Sequence, residues 1–422
     1  MKETLIKTIS QGEVVSARRD PLDRETLAAA QKIVDDVRER GETALREHAE
    51  RLGDIEPGGP FVISREDLSK ARDSIASTDV ELLERTAERI RVFAKAQMDS
   101  LKRMEIPVPG GAAGQDVAPV ERAGCYAPGG RFPLPSSVLM TAVTSTAAGV
   151  KETWVASPKP EPITLAAAAV AGVDGFLAVG GAQGIAALAY GVGPVPACDV
   201  VVGPGNKFVT AAKKLVFGRV AIDMLAGPSE LAVLADATAN PATVAADLLA
   251  QAEHDPDAVP ALVALDDQII VDVNVELWKQ LADLPTAETA RAALRNGFAV
   301  LAPNLDNAIE ICDRIAPEHL EIQTENAKEV AGRCLHYGAI FIGTSAAEVL
   351  GDYGAGPNHT LPTGGTARYS GGLSVFDFLR VRTWLDIDDR AAARELVQDA
   401  ERLAELEGLA AHARSAAKRQ TT

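Results

Sequence analysis

The chain has little of what marks an exported or membrane-spanning protein. Its 422 residues include only four cysteines, which are widely separated and form no C-x-x-C pair. Isolated cysteines in a chain of this length are typical of reduced thiols inside a cell and argue against a thiolate zinc site. The first residues lack the apolar core of a secretory signal, and Gly, Asp or Pro interrupt the apolar runs. We therefore expect a cytoplasmic protein that does not cross a membrane.

Positive charge is also scarce. The chain has 42 Lys and Arg residues but 59 Asp and Glu residues, which gives a formal net charge of −17. Such a surface repels phosphate backbones and anionic lipid headgroups, so we expect no nucleic-acid or membrane partner. A small cationic substrate fits this charge balance.

Short apolar runs alternate with alanine-rich stretches of helical length from about residue 117 onward. Runs that are apolar throughout and separated by helices indicate parallel sheets covered on both faces. Seven such runs are too many for one small domain, so we predict two α/β domains that meet near residues 223–230. The runs are 153–157, 175–179, 199–203, 231–235, 261–265, 298–302 and 339–343.

Four segments follow from this pattern. We predict that residues 1–105 form a helical segment packed on the core, because their apolar residues recur at helical spacing. Residues 106–229 would form the first α/β domain, and residues 230–380 the second. Residues 381–422 are charged and read as a helical tail that docks on the core or on a partner subunit.

Loops rich in glycine and proline occur four times, at 126–137, 180–184, 203–208 and 226–230. Glycine permits sharp turns and a close approach of backbone to ligand, and loops after strands of α/β sheets bind ligands. None of the loops matches G-x-G-x-x-G, because Phe208 stands where the loop at 203–208 needs its third glycine. A substrate or nucleotide cleft is predicted, but any NAD binding must use another geometry.

The segment LLAQAEHDPD places Gln251 and His254 three residues apart, on one face of a predicted helix. Two interpretations compete. The pair could hold a metal ion, or His254 could end the helix, where the helix dipole favours a histidine. The local sequence favours the helix end.

Glu318 and His319 follow Pro317, which breaks any preceding helix, so the pair is predicted in a turn. A carboxylate beside an imidazole is the usual equipment for proton transfer and water activation. The alternative is a charge pair on a surface turn.

Residues 351–370 form a long stretch without periodic structure, which in a compact domain usually serves function. Asp352 could provide an oxygen ligand that complements an imidazole on zinc, or it could cap a helix or turn. For His359 the local sequence favours a hydrogen-bonded loop residue. Considered alone, Glu407 and His412 are predicted to be exposed residues of a terminal helix.

Seven segments of the chain resemble the histidinol dehydrogenase family, and they occur in the family's order almost from end to end. The resemblance implies two incomplete Rossmann-like domains, which agrees with the missing glycine fingerprint. It further implies a homodimer with one Zn²⁺ per subunit that oxidises L-histidinol to L-histidine with NAD, through an aldehyde, in the last step of histidine biosynthesis. The segments are APGGRFPLPSSVLMTA, GGAQGIAALAYG, VVGPGNKFV, IDMLAGPSE, AQAEHDPDA, PEHLEI and GPNHTLPTGGTAR.

The resemblance also implies roles for individual residues. Glu318 and His319 would be the catalytic acid–base pair, in which His319 takes the alcohol proton and Glu318 activates the water that attacks the aldehyde. The implied zinc ligands are Gln251, His254, Asp352 and, from the other subunit, His412. The implied substrate contacts are the same four ligands with Ser229, His319 and, across the dimer, Glu407. The implied NAD contacts are Tyr126, Gln183 and Asn206.

Two other functions stay open at this point. A paralogue of the same fold could oxidise another small alcohol, such as a sulfonated propanediol. A protein with two α/β domains could also bind a metal without catalysis, although Glu318 and His319 would then have no role. Manganese or cobalt would accept the same ligands as zinc.

Overall fold

The computed structural model of the protein describes residues 4–14, 22–129 and 132–420. The chain forms two compact units, which we describe separately. The first, called the core unit, comprises Met1–Lys95 and Glu121–Phe378; the second, called the tail unit, comprises Ala96–Val120 and Leu379–Thr422. The domain boundaries predicted from the sequence stay predictions.

Strands and helices alternate along most of the chain. The strands are β1 (Lys7–Thr8), β2 (Val62–Ile63), β3 (Met104–Val108), β4 (Gly111–Pro119), β5 (Arg122–Tyr126), β6 (Glu152–Ala156), β7 (Gly175–Leu177), β8 (Val200–Val202), β9 (Ala221–Ile222), β10 (Glu230–Ala235), β11 (Val259–Ala264), β12 (Phe298–Leu301), β13 (His319–Gln323), β14 (Ala339–Ile342) and β15 (Leu379–Ile387). The α-helices are α1 (Arg24–Arg40), α2 (Glu42–Arg51), α3 (Arg65–Ser74), α4 (Ser77–Ser100), α5 (Pro135–Ala147), α6 (Pro162–Ala171), α7 (Gly181–Tyr190), α8 (Lys207–Val216), α9 (Pro241–His254), α10 (Asp267–Gln280), α11 (Ala287–Leu294), α12 (Leu305–Ile315), α13 (Ala327–Ala331), α14 (Glu348–Asp352), α15 (Arg394–Leu406) and α16 (Ala410–Ala417). No described helix is both long and apolar enough to span a bilayer.

The first sheet of the core unit has the strand order β2-β7-β6-β5-β8-β9. All neighbouring pairs are parallel except β2 with β7. Helices α1, α7 and α8 pack together over one face, and α5 packs beside α6. The central strands are fully buried because helices cover them, which is why they are apolar throughout.

The second sheet has the order β1-β12-β11-β10-β13-β14, and all of its pairs are parallel. Residues of α9, α10 and α11 fill the core on one face, and residues of α12 and α13 fill it on the other. The prediction of parallel sheets covered on both faces is confirmed, and each of the seven predicted runs overlaps a strand. The sequence did not reveal that β1 and β2 add one N-terminal strand to each sheet.

The tail unit has a different construction. Strands β15, β4 and β3 form an antiparallel sheet in that order, and α15 packs on α16. The predicted C-terminal helices are present. The three-stranded sheet was not predicted, because its strands are largely exposed and lack the apolar runs that marked the others.

Candidate active site

Helix α9 carries a polar stripe on an otherwise apolar helix. Asp247, Gln251 and His254 recur at helical spacing, while Leu248 and Ala252 between them are buried in the core. The helix ends at His254, because the following residue is extended and precedes a proline. Gln251 is fully buried, whereas His254 is exposed at the helix end.

Strand β13 carries a second polar stripe. His319, Glu321 and Gln323 alternate with Leu320 and Ile322, so the polar side chains share one face and the apolar ones enter the core on the other. His319 is the first residue of this strand, so the predicted turn is wrong for His319. All three polar side chains of the stripe are buried.

The two polar stripes meet where Asp247 hydrogen-bonds Glu321. Burial, together with the nearby Glu321 carboxylate, raises the pKa of Asp247 to about 8. Burial thus favours the neutral, protonated form of Asp247 beside the Glu321 carboxylate. The pair lies beside the candidate site and was not predicted from the sequence.

Backbone contacts with β10 hold Glu318 and His319 in place. The Glu230 amide donates to Glu318 Oε2 at 3.0 Å, and His319 Nδ1 donates to the Glu230 carbonyl at 3.2 Å. Ser229 immediately precedes β10, and its hydroxyl hydrogen-bonds the Glu318 carboxylate. Because Nδ1 is the donor, the neutral imidazole of His319 would keep its lone pair on Nε2.

The short helix α14 brings two more carboxylates to His319. The Glu348 amide donates to Glu321 Oε1 at 2.9 Å, which attaches the start of the helix to β13. Glu348 Oε1 lies 3.9 Å from His319 Nδ1, and Asp352 Oδ1 lies 3.7 Å from His319 Nε2. The four-residue spacing places both carboxylates on one face of the helix.

His359 supports this arrangement from the following loop. Its Nδ1 donates to the backbone carbonyl of Asp352 at 3.0 Å, and its Nε2 lies 3.4 Å from the Ser137 hydroxyl. Burial lowers the pKa of His359. His359 thus matches the simpler sequence interpretation, that of a hydrogen-bonded loop histidine.

The buried charges shift one another's pKa values. Burial raises the pKa of Glu318 to about 7 and that of Glu348 to about 8, although the nearby His319 opposes both shifts. Burial by itself would lower the pKa of His319, but the carboxylates of Glu318, Glu348 and Asp352 outweigh it and raise that pKa to about 10. One imidazole is thus surrounded by three carboxyl groups, and the region attracts cations.

His254, Glu348 and Asp352 form a group that could hold a metal ion. Each offers one ligand atom, and these atoms all lie within 4.8 Å of one another. Gln251 adds a separate indication, since neither of its buried amide atoms has a hydrogen-bond partner among the described residues. A buried polar group without a partner costs about 1–3 kcal/mol, and a bound cation would satisfy the amide oxygen. Imidazole and carboxylate donors suit zinc, so these residues fit a divalent metal ion.

Sequence reasoning missed Glu348. A signal was available, because Glu348 and Asp352 stand four residues apart. The helix that joins them has only five residues, which is too short for an apolar periodicity to be recognised.

The three residues expected to contact NAD line one cleft of about 1070 Å³ in the core unit. Tyr126 ends β5, Gln183 lies in the first turn of α7 after β7, and Asn206 caps α8 after β8. All three therefore lie at the carboxyl ends of parallel strands, where ligands usually bind. The Tyr126 hydroxyl accepts a hydrogen bond from the Gly181 amide at 3.1 Å, and burial raises its pKa to about 12.

Glu407 and His412 belong to the tail unit. Glu407 follows α15 directly, and His412 lies in α16. Both are exposed and line a groove of about 680 Å³ between the two helices and β15. Their roles at a metal or substrate stay predictions.

Comparison with known proteins gives one consistent result. A model of the histidinol dehydrogenase family matches residues 16–420. The histidinol dehydrogenase of Thermus thermophilus is 46% identical over 390 residues, which cover 91% of this chain and 92% of the relative. That of Methanocaldococcus jannaschii is 38% identical over 417 residues, which cover 98% and 96%.

A solved structure agrees. The crystal structure of histidinol dehydrogenase from Elizabethkingia anophelis matches with a TM-score of 0.92 at 29% identity, over 99% of both chains. The family expected from the seven sequence segments is thereby confirmed. The chain belongs to the histidinol dehydrogenase family of oxidoreductases.

Proposed function

We propose that the protein oxidises L-histidinol to L-histidine through an aldehyde, with NAD⁺ as electron acceptor, in the last step of histidine biosynthesis in the cytoplasm. The observation that carries this proposal is the meeting of a buried acid–base pair with a group of metal-ligand side chains. Glu318 and His319 lie beside Asp352, which shares the metal-ligand group with His254. The family membership supports the same reaction.

The metal would be zinc, one ion per subunit. Its ligands would be Gln251, His254, Asp352 and His412 of the partner subunit, so the working enzyme would be a homodimer. When bound, the metal supplies an anchor for the amine and imidazole of the substrate, and NAD⁺ supplies the electron acceptor. Ser229, together with Glu407 of the partner subunit, would complete the substrate site.

His319 would take the proton of the substrate hydroxyl. Its Nδ1 is engaged by the Glu230 carbonyl, so Nε2 is the atom that can accept a proton. The carboxylates around it raise its pKa to about 10. A divalent cation on Asp352 would offset that negative charge and lower the pKa, which favours the neutral base.

Glu318 would activate the water that attacks the aldehyde. Its pKa of about 7 leaves a substantial fraction ionised at neutral pH, so the carboxylate can accept a proton from water. The Glu230 amide and the Ser229 hydroxyl fix its orientation.

NAD⁺ would bind in the cleft lined by Tyr126, Gln183 and Asn206. The cleft opens at the carboxyl ends of the first sheet and follows the usual rule for α/β sheets. Its volume lies at the upper end of the usual range for ligand pockets, about 300–1,000 Å³, so it can hold a large part of a dinucleotide.

The two other functions gain no support. The relatives compared above all carry the name histidinol dehydrogenase, which does not favour a paralogue acting on a sulfonated propanediol. A non-catalytic metal-binding protein would have no use for a buried carboxyl–imidazole pair, whose burial costs stability.

The test is the stoichiometry of NADH formation. The protein should form two NADH for each L-histidinol consumed. Glu318→Gln should stop aldehyde oxidation while the metal content stays unchanged, and the exposed Glu329→Gln should behave as wild type. Turnover of another alcohol without turnover of histidinol would contradict the substrate. Full aldehyde oxidation by Glu318→Gln would contradict the role of that residue.

A further inference from the structure

A carboxylate from the N-terminal region lies at the first turn of α7. Asp54 follows α2, and its Oδ2 accepts hydrogen bonds from the Gly180 amide at 3.0 Å and from Gln183 Nε2 at 2.9 Å. Helix α7 follows a parallel strand, and the amino end of such a helix ordinarily attracts a phosphate. Here a carboxylate already occupies that end, so a second anion is disfavoured next to it.

Gln183 presents an acceptor without a donor. The residue is only 2% exposed, and its Oε1 has no hydrogen-bond partner among the described residues. Asp54 engages the amide nitrogen, which fixes the amide so that Oε1 is the remaining polar atom. Both described bonds to Asp54 end on Oδ2, which leaves Oδ1 as a second acceptor. Two neighbouring acceptors suit a pair of hydroxyl donors.

The position in the cleft indicates which part of a dinucleotide supplies these hydroxyls. Asp54 and Gln183 line the cleft together with Tyr126 and Asn206. None of the residues of the metal and proton-transfer group lines it. Electron transfer takes place beside that group, so this cleft would hold the end of NAD⁺ that lies farther from the nicotinamide.

The charges around the cleft are mixed. Asp35 and Asp36 add negative charge to that of Asp54, and Lys32 and Arg51 add positive charge. Both of these basic side chains are solvent-exposed, whereas Asp54 is half-buried and held by the α7 turn. The charge closest to a phosphate at this position would therefore be the Asp54 carboxylate, which would repel it.

On the basis of the proposed NAD⁺ dependence, we propose that Asp54 binds the hydroxyls of the adenosine ribose and so selects NAD⁺ over NADP⁺. Gln183 would share the ribose through Oε1, in the orientation that Asp54 imposes. In NADP⁺ the 2′-hydroxyl carries a phosphate, which replaces a hydrogen-bond donor with negative charge. Many dinucleotide-binding domains use an acidic residue in this way, but from a different position in the chain.

The experiment compares kcat/KM for NAD⁺ and NADP⁺ in wild type, Asp54→Asn, Asp54→Ala and Asp35→Asn. Asp54→Asn keeps an acceptor for Gly180 and Gln183 but removes the charge, so folding should be preserved. We expect its KM for NAD⁺ to rise about tenfold or more, as for the loss of one charge-assisted hydrogen bond, with kcat nearly unchanged. Its preference for NAD⁺ over NADP⁺ should fall by a larger factor. Asp54→Ala should show the same shift with a lower Tm.

The Asp35→Asn control removes one charge from the same cleft without touching α7, and it should leave the preference within about twofold of wild type. A wild-type preference in Asp54→Asn would overturn the proposal, as would equal use of both cofactors by the unaltered protein. A raised KM for NAD⁺, with an unchanged ratio of kcat/KM for NAD⁺ to kcat/KM for NADP⁺, would also overturn it. In all three cases the wild type would still turn over histidinol, so the proposed function would stand. A wild type that forms no NADH would instead contradict the proposed function.

Discussion

The two regions of the core unit that we assign to ligands lie at opposite ends of the strands of their sheets. In the first sheet, the cleft lies at the carboxyl ends of β5, β7 and β8, where glycine-rich loops form one side of it and α1 and α2 form the other. In the second sheet, Glu318 and His319 lie at the amino ends of β10 and β13. The common rule for ligand sites in α/β sheets thus holds for one sheet and fails for its neighbour.

The two regions also differ in what builds them. Short turns line one side of the cleft, and side chains of α1 and α2, several of them exposed, line the other. The second region uses ionisable side chains on the face of a buried strand, where Glu318 and His319 are 7% and 3% exposed. Burying charge costs free energy unless a partner compensates. Mutations in the second region should therefore lower activity without a matching loss of stability. Mutations in the cleft should act mainly on cofactor affinity.

The largest effect should come from His319→Asn. Removing the proton acceptor should lower kcat by about 10²- to 10⁴-fold, the usual contribution of general acid–base catalysis. Steady-state NADH formation with histidinol measures this. His336→Asn changes a histidine that lies outside the cluster and should leave kcat unchanged. If the kcat of His319→Asn stayed within tenfold of the wild-type value, the second region would not take part in the reaction.

Gln251→Leu should move activity and stability in opposite directions. The variant should lose bound metal and activity, because the amide oxygen is gone. In the presence of a chelator it should nevertheless be more stable than wild type by about 1–3 kcal/mol, since a buried amide without a partner is replaced by an apolar group of similar volume. Metal content by mass spectrometry and urea unfolding test the two halves of this prediction.

Gln323→Leu is the matched control, because Gln323 is also a buried amide on the polar face of β13. It should keep its metal. If Gln251→Leu also kept its metal, the unpartnered amide would need another explanation.

Glu348→Gln should have an intermediate effect. Glu348 belongs to the metal-ligand group and also lies 3.9 Å from His319 Nδ1, so loss of its charge should weaken metal affinity or activity about 10- to 100-fold. Competition with a metal-binding dye gives the affinity. The exposed Glu325→Gln should show no change, and an equally small effect of Glu348→Gln would mean that this carboxylate only fills space.

The same contrast explains what the sequence could reveal. The first region was predictable in outline, because glycine loops directly after apolar strands mark a cleft without any long-range information. In the second region the pair Gln251–His254 was visible from helical spacing, but its meeting with Asp352 depends on the course of the chain through four further strands. Strand β13 escaped notice because HLEIQ alternates polar and apolar residues instead of forming an apolar run. Glu348 was missed for a related reason, since α14 is too short to show a period.

The smallest effect should come from the cleft, at Gly181. This residue has φ +60°, and a Cβ placed there would lie 2.9 Å from Gln183 Oε1. Gly181→Ala should therefore displace the amide and raise the KM for NAD⁺ several-fold, up to about tenfold, with little change in kcat. Gly172→Ala is the matched control: it also has a positive φ of +75°, but nothing lies within 4 Å of the added Cβ. Both variants should lose about 1–2 kcal/mol of stability from the left-handed backbone, and only Gly181→Ala should change the KM. An equal KM in the two variants would show that the cleft tolerates movement of Gln183, so that the position of this side chain would not decide cofactor affinity.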